Sequence, residues 1–551
     1  MKKSSLLLTL VTIVTITLMS ACQSKQKADL VVYNAVVYTV NPSFDTVSAF
    51  AVKDGKFLAV GTNREILDHY KTKQIIDAKG KAVYPGFNDG HSHFLAYGQT
   101  LLRWANLVGT KSFDAVLKVL KAHQQKYPEK WILGRGWDQN DWAIQKYPTN
   151  EKLDSLFPGH PVVLTRIDGH AVLVSSEALK LAGITASTKI DGGEVVLKNG
   201  KPTGVLIDNA ADRMRALIPE MSRSTKIKAL EQAQQNCFAA GLTSVTDAGL
   251  PKDDILLIDS LQRKGVLKIR VYAMISPTRE DFDYFFPKGP WHTGRLTVSA
   301  VKLYIDGALG SRGALLLKPY SDMPGHYGLR IHPLAYYDTI CRKAYAAGFQ
   351  VNTHAIGDSG NRIMLTIYAR FLKGKNDRRW RIEHAQVLSP DDFHYFGDFN
   401  IIPSIQSTHS TSDMYWAGER LGPKRLKTAY AYKQLLEQNG WEVNGTDFPI
   451  EDISPVKTFY AAVSRKDLNG WPPGGFQMEN AISRKKALRS ITIWPAKGSF
   501  DEKIKGSIEP GKFADFVILS RDIMRSPEAD IPRARVLLTF VQGEKVYGND
   551  E

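Results

Sequence analysis

Short apolar runs rich in β-branched and aromatic residues alternate along most of this chain with longer segments of helical period. In order, the runs cover residues 82–93, 241–248, 269–275, 297–306, 349–354, 379–384, 401–406 and 441–447. Strands separated by helices pair in parallel, which gives an α/β protein. Eight such units predict a (β/α)8 TIM barrel, a fold whose functional groups sit at the C-terminal ends of the strands. The interval from about Trp104 to Glu231 is too long for one crossover and predicts a subdomain inserted after the first barrel strand.

The two ends of the chain follow another pattern. Residues 28–40 and 48–60 alternate as strands, the second pair turning at Asp54-Gly55, a strong hairpin signal. Residues 75–83 continue the pattern. Near the C-terminus, residues 506–519 and 535–547 repeat it, the latter around Gln542-Gly543. Neither end is long enough for a core of its own, so the two are expected to form one small β-sandwich. The expected division is a signal segment at 1–22, sandwich at 23–84, barrel at 85–495 with the insertion at about 104–231, and sandwich again at 496–551.

Metal-type residues close several of the barrel runs. The first ends Asp89-Gly90-His91-Ser92-His93, and alternate residues of a strand point to one face, so His91 and His93 project together. A His-x-His pair alone is weak evidence for a metal. The fourth run carries Lys302 among apolar neighbours, where an uncompensated ammonium is costly. The fifth ends at His354, the sixth at Glu383-His384, and the eighth at Asp447. Each has an ordinary structural explanation, but chance placement of all of them at strand ends is improbable. Within the insertion, Trp137, Asp138, Asp168 and His170 are candidates for substrate contact, and equally for holding the insertion together.

Composition narrows the setting. With 43% hydrophobic and 23% charged residues the chain is globular, and its net charge of +16 raises the question of partners. The basic residues are spread along the chain, and no nucleic-acid-binding motif is present, so no nucleic acid is expected. At the N-terminus, Lys2 and Lys3 precede an uncharged apolar stretch, 6–19, that is short for a membrane span and ends at small residues before Cys22. This resembles a bacterial lipoprotein signal, with Cys22 lipidated and the protein anchored at the cell envelope by its N-terminal lipid. Cys237 and Cys341 lie in helical patterns and read as small core residues.

Together, residues 85–93, 134–138, 166–170, 301–312, 353–358, 383–386, 447–449 and 506–515 resemble the amidohydrolase superfamily of metal-dependent hydrolases, specifically the amidohydrolase-3 branch that includes N-substituted formamide deformylases. The resemblance implies that His91 and His93 hold one metal ion and His354 and His384 a second. It implies that Lys302 is carboxylated and bridges the two, and that Asp447 binds metal and shuttles the proton. It departs from the family at strand seven, where Gln406-Ser407-Thr408-His409 lacks the usual proline. Such ligands suit Zn²⁺, and also Fe or Mn, in one or two ions per chain. The implied activity is hydrolysis of a small-molecule amide or formamide C–N bond. A deaminase or cyclic-amide hydrolase of the same superfamily, or a non-catalytic binding lipoprotein, is the alternative. The sequence does not fix the oligomeric state; a homodimer is compatible with it.

Overall fold

The computed structural model describes residues 25–548. The expected signal segment and Cys22 lie outside the described residues.

Eight parallel strands form the barrel: β1 (Phe87–Ser92), β2 (Leu242–Leu250), β3 (Arg270–Ile275), β4 (Leu296–Tyr304), β5 (Gln350–Ala355), β6 (Arg381–His384), β7 (Ile402–Ile405) and β8 (Val443–Asn444), hydrogen-bonded in that order. Nearly every residue in them is buried, because helices cover the outside and side chains fill the inside. Closure between β8 and β1 is tight. A Cβ on Gly90 would lie 2.1 Å from Val443 Cγ1, and one on Gly445 would lie 2.4 Å from the His91 nitrogen. Past β8, Asp447 N donates to His91 O (2.8 Å) and His93 N donates to Phe448 O (2.8 Å). The end of the eighth strand is thereby fixed against the His-x-His segment.

The chain ends pack as two facing sheets. One has strands in the order Lys56–Gly61, Ala49–Lys53, Leu30–Tyr33 and Gln74–Asp77; the other joins Ala82–Pro85 to Phe516–Leu519 and so ties the N-terminal part to the C-terminal part. Their shared core centres on Phe50, Phe57, Phe516 and Phe540. A buried ion pair, Arg270 Nε to Asp515 Oδ2 at 2.7 Å, joins this unit to the start of β3.

The insertion is a six-stranded mixed sheet that runs from Ala105 to Asp208. It ends earlier than the expected residue 231. The helix Arg223–Ala239, capped by the Ser222 side chain, packs on helix Phe94–Arg103 and against β2. That helix is the barrel's own crossover, because its apolar face is buried by the barrel and not by the insertion. Cys237 and Cys341 are buried within helices. Among the described residues, no helix is long and apolar enough to cross a membrane.

Candidate metal centre

The strand ends converge on Asp447. Its Oδ1 lies 3.3 Å from His93 Nε2 and 3.6 Å from His91 Nε2, and its Oδ2 lies 3.5 Å from His409 Nε2. Two groups of donor atoms could each hold an ion: His91, His93 and Asp447, and His384, His409 and Asp447. Ligand atoms bonded to one tetrahedral ion at about 2.0–2.2 Å are about 3.3–3.6 Å apart, which is the spacing found here. Asp447 Oδ1 and His409 Nε2 are buried without a hydrogen-bond partner. Such orphaned groups are costly unless a ligand completes them, so the residues fit a divalent metal.

Surrounding residues orient these side chains. His91 Nδ1 is bonded to Glu383 Oε2 at 2.5 Å, both side chains being fully buried, and Ser404 Oγ donates to the same oxygen at 2.6 Å. This leaves His91 Nε2 turned toward Asp447, the arrangement expected of a metal-binding imidazole backed by a carboxylate. His384 Nδ1 is similarly bonded to Gln406 Oε1 at 2.6 Å. Asp89 accepts from the backbone of His91 and Thr446 and from Thr446 Oγ1, and so ties β1 to the Asp447 turn. His384 (φ 73°) and Asp447 (φ 60°) both take left-handed backbone conformations. Side chains rarely adopt these without strain of about 1–3 kcal/mol each, which the surrounding packing offsets.

Burial sets the ionisation of the site. It pushes His91 down to about 4 and holds His354 and His384 well below the ordinary histidine value, so these imidazoles are neutral and able to act as ligands. Burial opposes ionisation of Asp447, yet the contact with His93 and the neighbouring imidazoles hold its carboxyl below the usual range. Lys302, on β4, is buried with Nζ 3.4 Å from His91 Nε2, and desolvation lowers it to about 8.

Five of the six residues expected as ligands meet as one constellation: His91, His93, His384 and Asp447 in the two donor groups, and Lys302 beside them. His354 adjoins it with a different orientation. Its ring centroid is 4.5 Å from that of His384, while its Nε2 points to the Gly307 carbonyl at 3.4 Å. The position beside His384 and Asp447 is taken by His409, which the sequence reading noted only as part of a changed strand-seven segment. Its signal was its place just past β7. Glu383 was missed as an orienting group although it immediately precedes His384.

A cavity of about 480 Å³ opens from Asp447 toward the insertion. Asp138, Asp168 and His170 line it. Trp137 does not: it is 1% exposed, donates from Nε1 to Leu164 O at 2.8 Å and packs against Trp142 and Tyr147. Its bulk fills the core of the insertion, so its position is structural. Arg166, wholly buried, donates to Asp138, to Asp168 Oδ2 (2.6 Å) and to Gln139 Oε1 (2.9 Å). His170 Nδ1 is bonded to Asp208 Oδ1 at 2.8 Å, and its ring lies 4.8 Å from that of His354. Arg135 donates to the carbonyls of Pro449 and Ile167, fastening the insertion to the turn after Asp447.

Comparison with known proteins agrees with this architecture. The chain is 33% identical over 542 residues to Protein LONG AFTER FAR-RED 3 of Arabidopsis thaliana, covering 94% of this chain and 92% of that one. It is 31% identical over 530 residues to the putative amidohydrolase YtcJ of Bacillus subtilis, covering 94% and 98%. It is 26% identical over 551 residues to the N-substituted formamide deformylase of Arthrobacter pascens, covering 95% and 99%. The crystal structure of an uncharacterized metal-dependent hydrolase from Pyrococcus horikoshii superposes with a TM-score of 0.73 at 29% identity, over 91% of this chain and 99% of that one. The sequence pattern of the amidohydrolase family matches residues 74–547, and with the barrel and its cluster of histidines and aspartate this shows that the chain belongs to that family.

Proposed function

We propose that the protein hydrolyses a non-peptide C–N bond, an amide or N-substituted formamide, with one or two divalent metal ions held by His91, His93 and Asp447 and by His384, His409 and Asp447. The observation that carries this reading is the orphaned pair of buried ligand atoms, Asp447 Oδ1 and His409 Nε2, at the mouth of the barrel. A similar protein named for formamide deformylation supports the bond type. A bound ion, zinc foremost, supplies an acidified water, its pKa lowered to about 7, and polarises the carbonyl under attack.

The chain's own residues supply the remainder. Asp447, held ionised, accepts a proton at a carboxylate oxygen and returns it to the leaving nitrogen. Glu383 and Gln406 fix the rings of His91 and His384. Lys302, which burial lowers to about 8, would lose its ammonium proton and, on adding CO2 at Nζ with release of a further proton, would offer an anionic carbamate as a ligand. The insertion forms one wall of the cavity through Asp138, Asp168 and His170.

Asp447→Asn keeps the shape and removes the base. Turnover of an amide that the parent hydrolyses is expected to fall by ~10²–10⁴-fold, with metal content followed by elemental analysis. Turnover within a few-fold of the parent refutes the assigned role. A metal-loaded parent that hydrolyses no amide, imide or amidine refutes the enzyme reading. We also propose anchoring at the cell envelope through a lipid on Cys22. Cys22→Ala is then expected to leave the membrane fraction; unchanged membrane partitioning and processing overturn that reading.

A further inference from the structure

The cavity above Asp447 has a charge opposite to that of the chain. The whole sequence carries +16, yet seven carboxylates line this cavity against three lysine or arginine side chains. Most of the acids are already matched. Arg166 is shared by Asp138 and Asp168, Lys457 pairs with Asp452, Lys111 lies 3.7 Å from Asp141, and Asp447 belongs to the metal-binding cluster. Two remain without a lysine or arginine partner: Asp413 and Glu451.

These two carboxylates are held in place by neutral groups only. Asp413 Oδ2 accepts from Gln386 Nε2 (2.9 Å) and from the Tyr430 hydroxyl (2.8 Å), and Glu451 Oε1 accepts from Ser412 Oγ (2.6 Å). Burial raises both, Asp413 to about 7, and Glu451 adds to the rise at Asp413, while the neighbouring His409 lowers each of them in part. A carboxylate kept this way is stabilised by a cation placed against it. His409, whose Nε2 belongs to the metal-binding cluster, lines the same cavity. His409 and Asp413 stand four residues apart on one face of the helix Ser407–Asp413. At 1.5 Å per residue that separation is roughly 6 Å. The uncompensated acids therefore begin about one helical turn from the metal-binding atoms.

We propose that the substrate carries a cationic nitrogen, an ammonium or guanidinium, several bonds from the scissile C–N bond, and that Asp413 and Glu451 bind it. This rests on the hydrolase reading for the reaction, but the subsite can be measured separately. The ion pairs already present keep Asp138, Asp168 and Asp452 from competing for the cation, which assigns specificity to the two unmatched carboxylates.

The test compares N-formyl-1,4-diaminobutane with its uncharged counterpart N-formylpentylamine on the metal-loaded full chain. Calorimetric binding of 1,4-diaminobutane is the second readout. The charged formamide is expected to have kcat/KM roughly tenfold or more above the neutral one, a gap that narrows with added salt. In Asp413→Asn and Glu451→Gln that ratio is expected to collapse toward one and diamine binding to weaken about tenfold, with Tm showing that each variant is folded. Equal turnover of the two formamides by the parent, or a preference that survives in both variants, overturns the subsite and leaves the hydrolase reading standing. If neither formamide is hydrolysed, diamine binding that depends on Glu451 and Asp413 supports the subsite, and absence of diamine binding overturns it.

Discussion

The sandwich core and the barrel interior are equally buried and are built of opposite materials. In the sandwich, Phe516 stacks on Phe540 with centroids 4.4 Å apart and meets Phe50 edge-on at 5.0 Å. In the barrel, Asn88, Lys302, Asn352, Arg381 and Glu383 are all buried to 4% exposure or less. Among the described residues, no buried side-chain polar atom lacking a partner lies in the two sandwich sheets, whereas Asn88, Asn352, Arg381, Glu383 and Asp447 each contribute one or more. An unsatisfied buried polar group costs about 1–3 kcal/mol. The sandwich thus contributes stability through apolar contact, and the barrel gives up stability to keep a polar interior under its site. The two regions are expected to respond differently to substitution.

The largest effect on folding is expected in the sandwich. Phe516→Ala removes a wholly buried ring from three aromatic contacts, with Phe50, Phe57 and Phe540, and should cost about 3–5 kcal/mol in denaturant unfolding. Metal affinity of the folded fraction should remain that of the parent. Loss of metal binding at unchanged stability would break the division between a stabilising core and a functional one.

A smaller effect, of the opposite kind, is expected at Glu383. Glu383→Gln keeps the volume but removes the carboxylate that holds His91 Nδ1. Metal affinity, measured by competition with a chelator, should fall by ~10–100-fold. Affinity within twofold of the parent would show that the barrel packing alone orients His91.

The smallest effect concerns Glu442, which adjoins the start of β8, at the end of the strand away from Asp447. It is fully buried, neither carboxylate oxygen has a partner, and burial raises it from the ordinary 4.5 to about 8. Between those values the folded protein keeps a proton that the unfolded chain releases. Stability should therefore decline as pH rises from about 4.5 to about 8. Glu442→Gln should flatten that part of the unfolding-midpoint profile and leave turnover near the parent's. An unchanged slope would assign the pH dependence to other groups.

The periodic pattern was enough to place all eight barrel strands, since short runs rich in β-branched and aromatic residues alternate with longer segments of helical period. Hairpin turns at Asp54-Gly55 and Gln542-Gly543 were legible because turn chemistry is local. The ends of β1, β6 and β8 likewise announced His91, His93, His384 and Asp447 through residue type and position. What the sequence could not supply was mutual geometry. Both His354 and His409 stand beside His384, and which of them turns a ring nitrogen toward Asp447 depends on how the strand ends turn past one another. Whether Trp137 faces substrate or the insertion core depends on the register of Ile132–Trp137 against Val162–Arg166. The boundary of the insertion depended on which surface buries the helix Arg223–Ala239. Which of the acids around the cavity meet a cation and which, like Asp413 and Glu451, do not depends on how the insertion and the loops after β7 and β8 come together. Local pattern determines elements because hydrogen bonding and periodicity act over a few residues. Tertiary packing alone decided the grouping of donor atoms and the unmatched charges, because distances across the barrel mouth are set by all eight strands together.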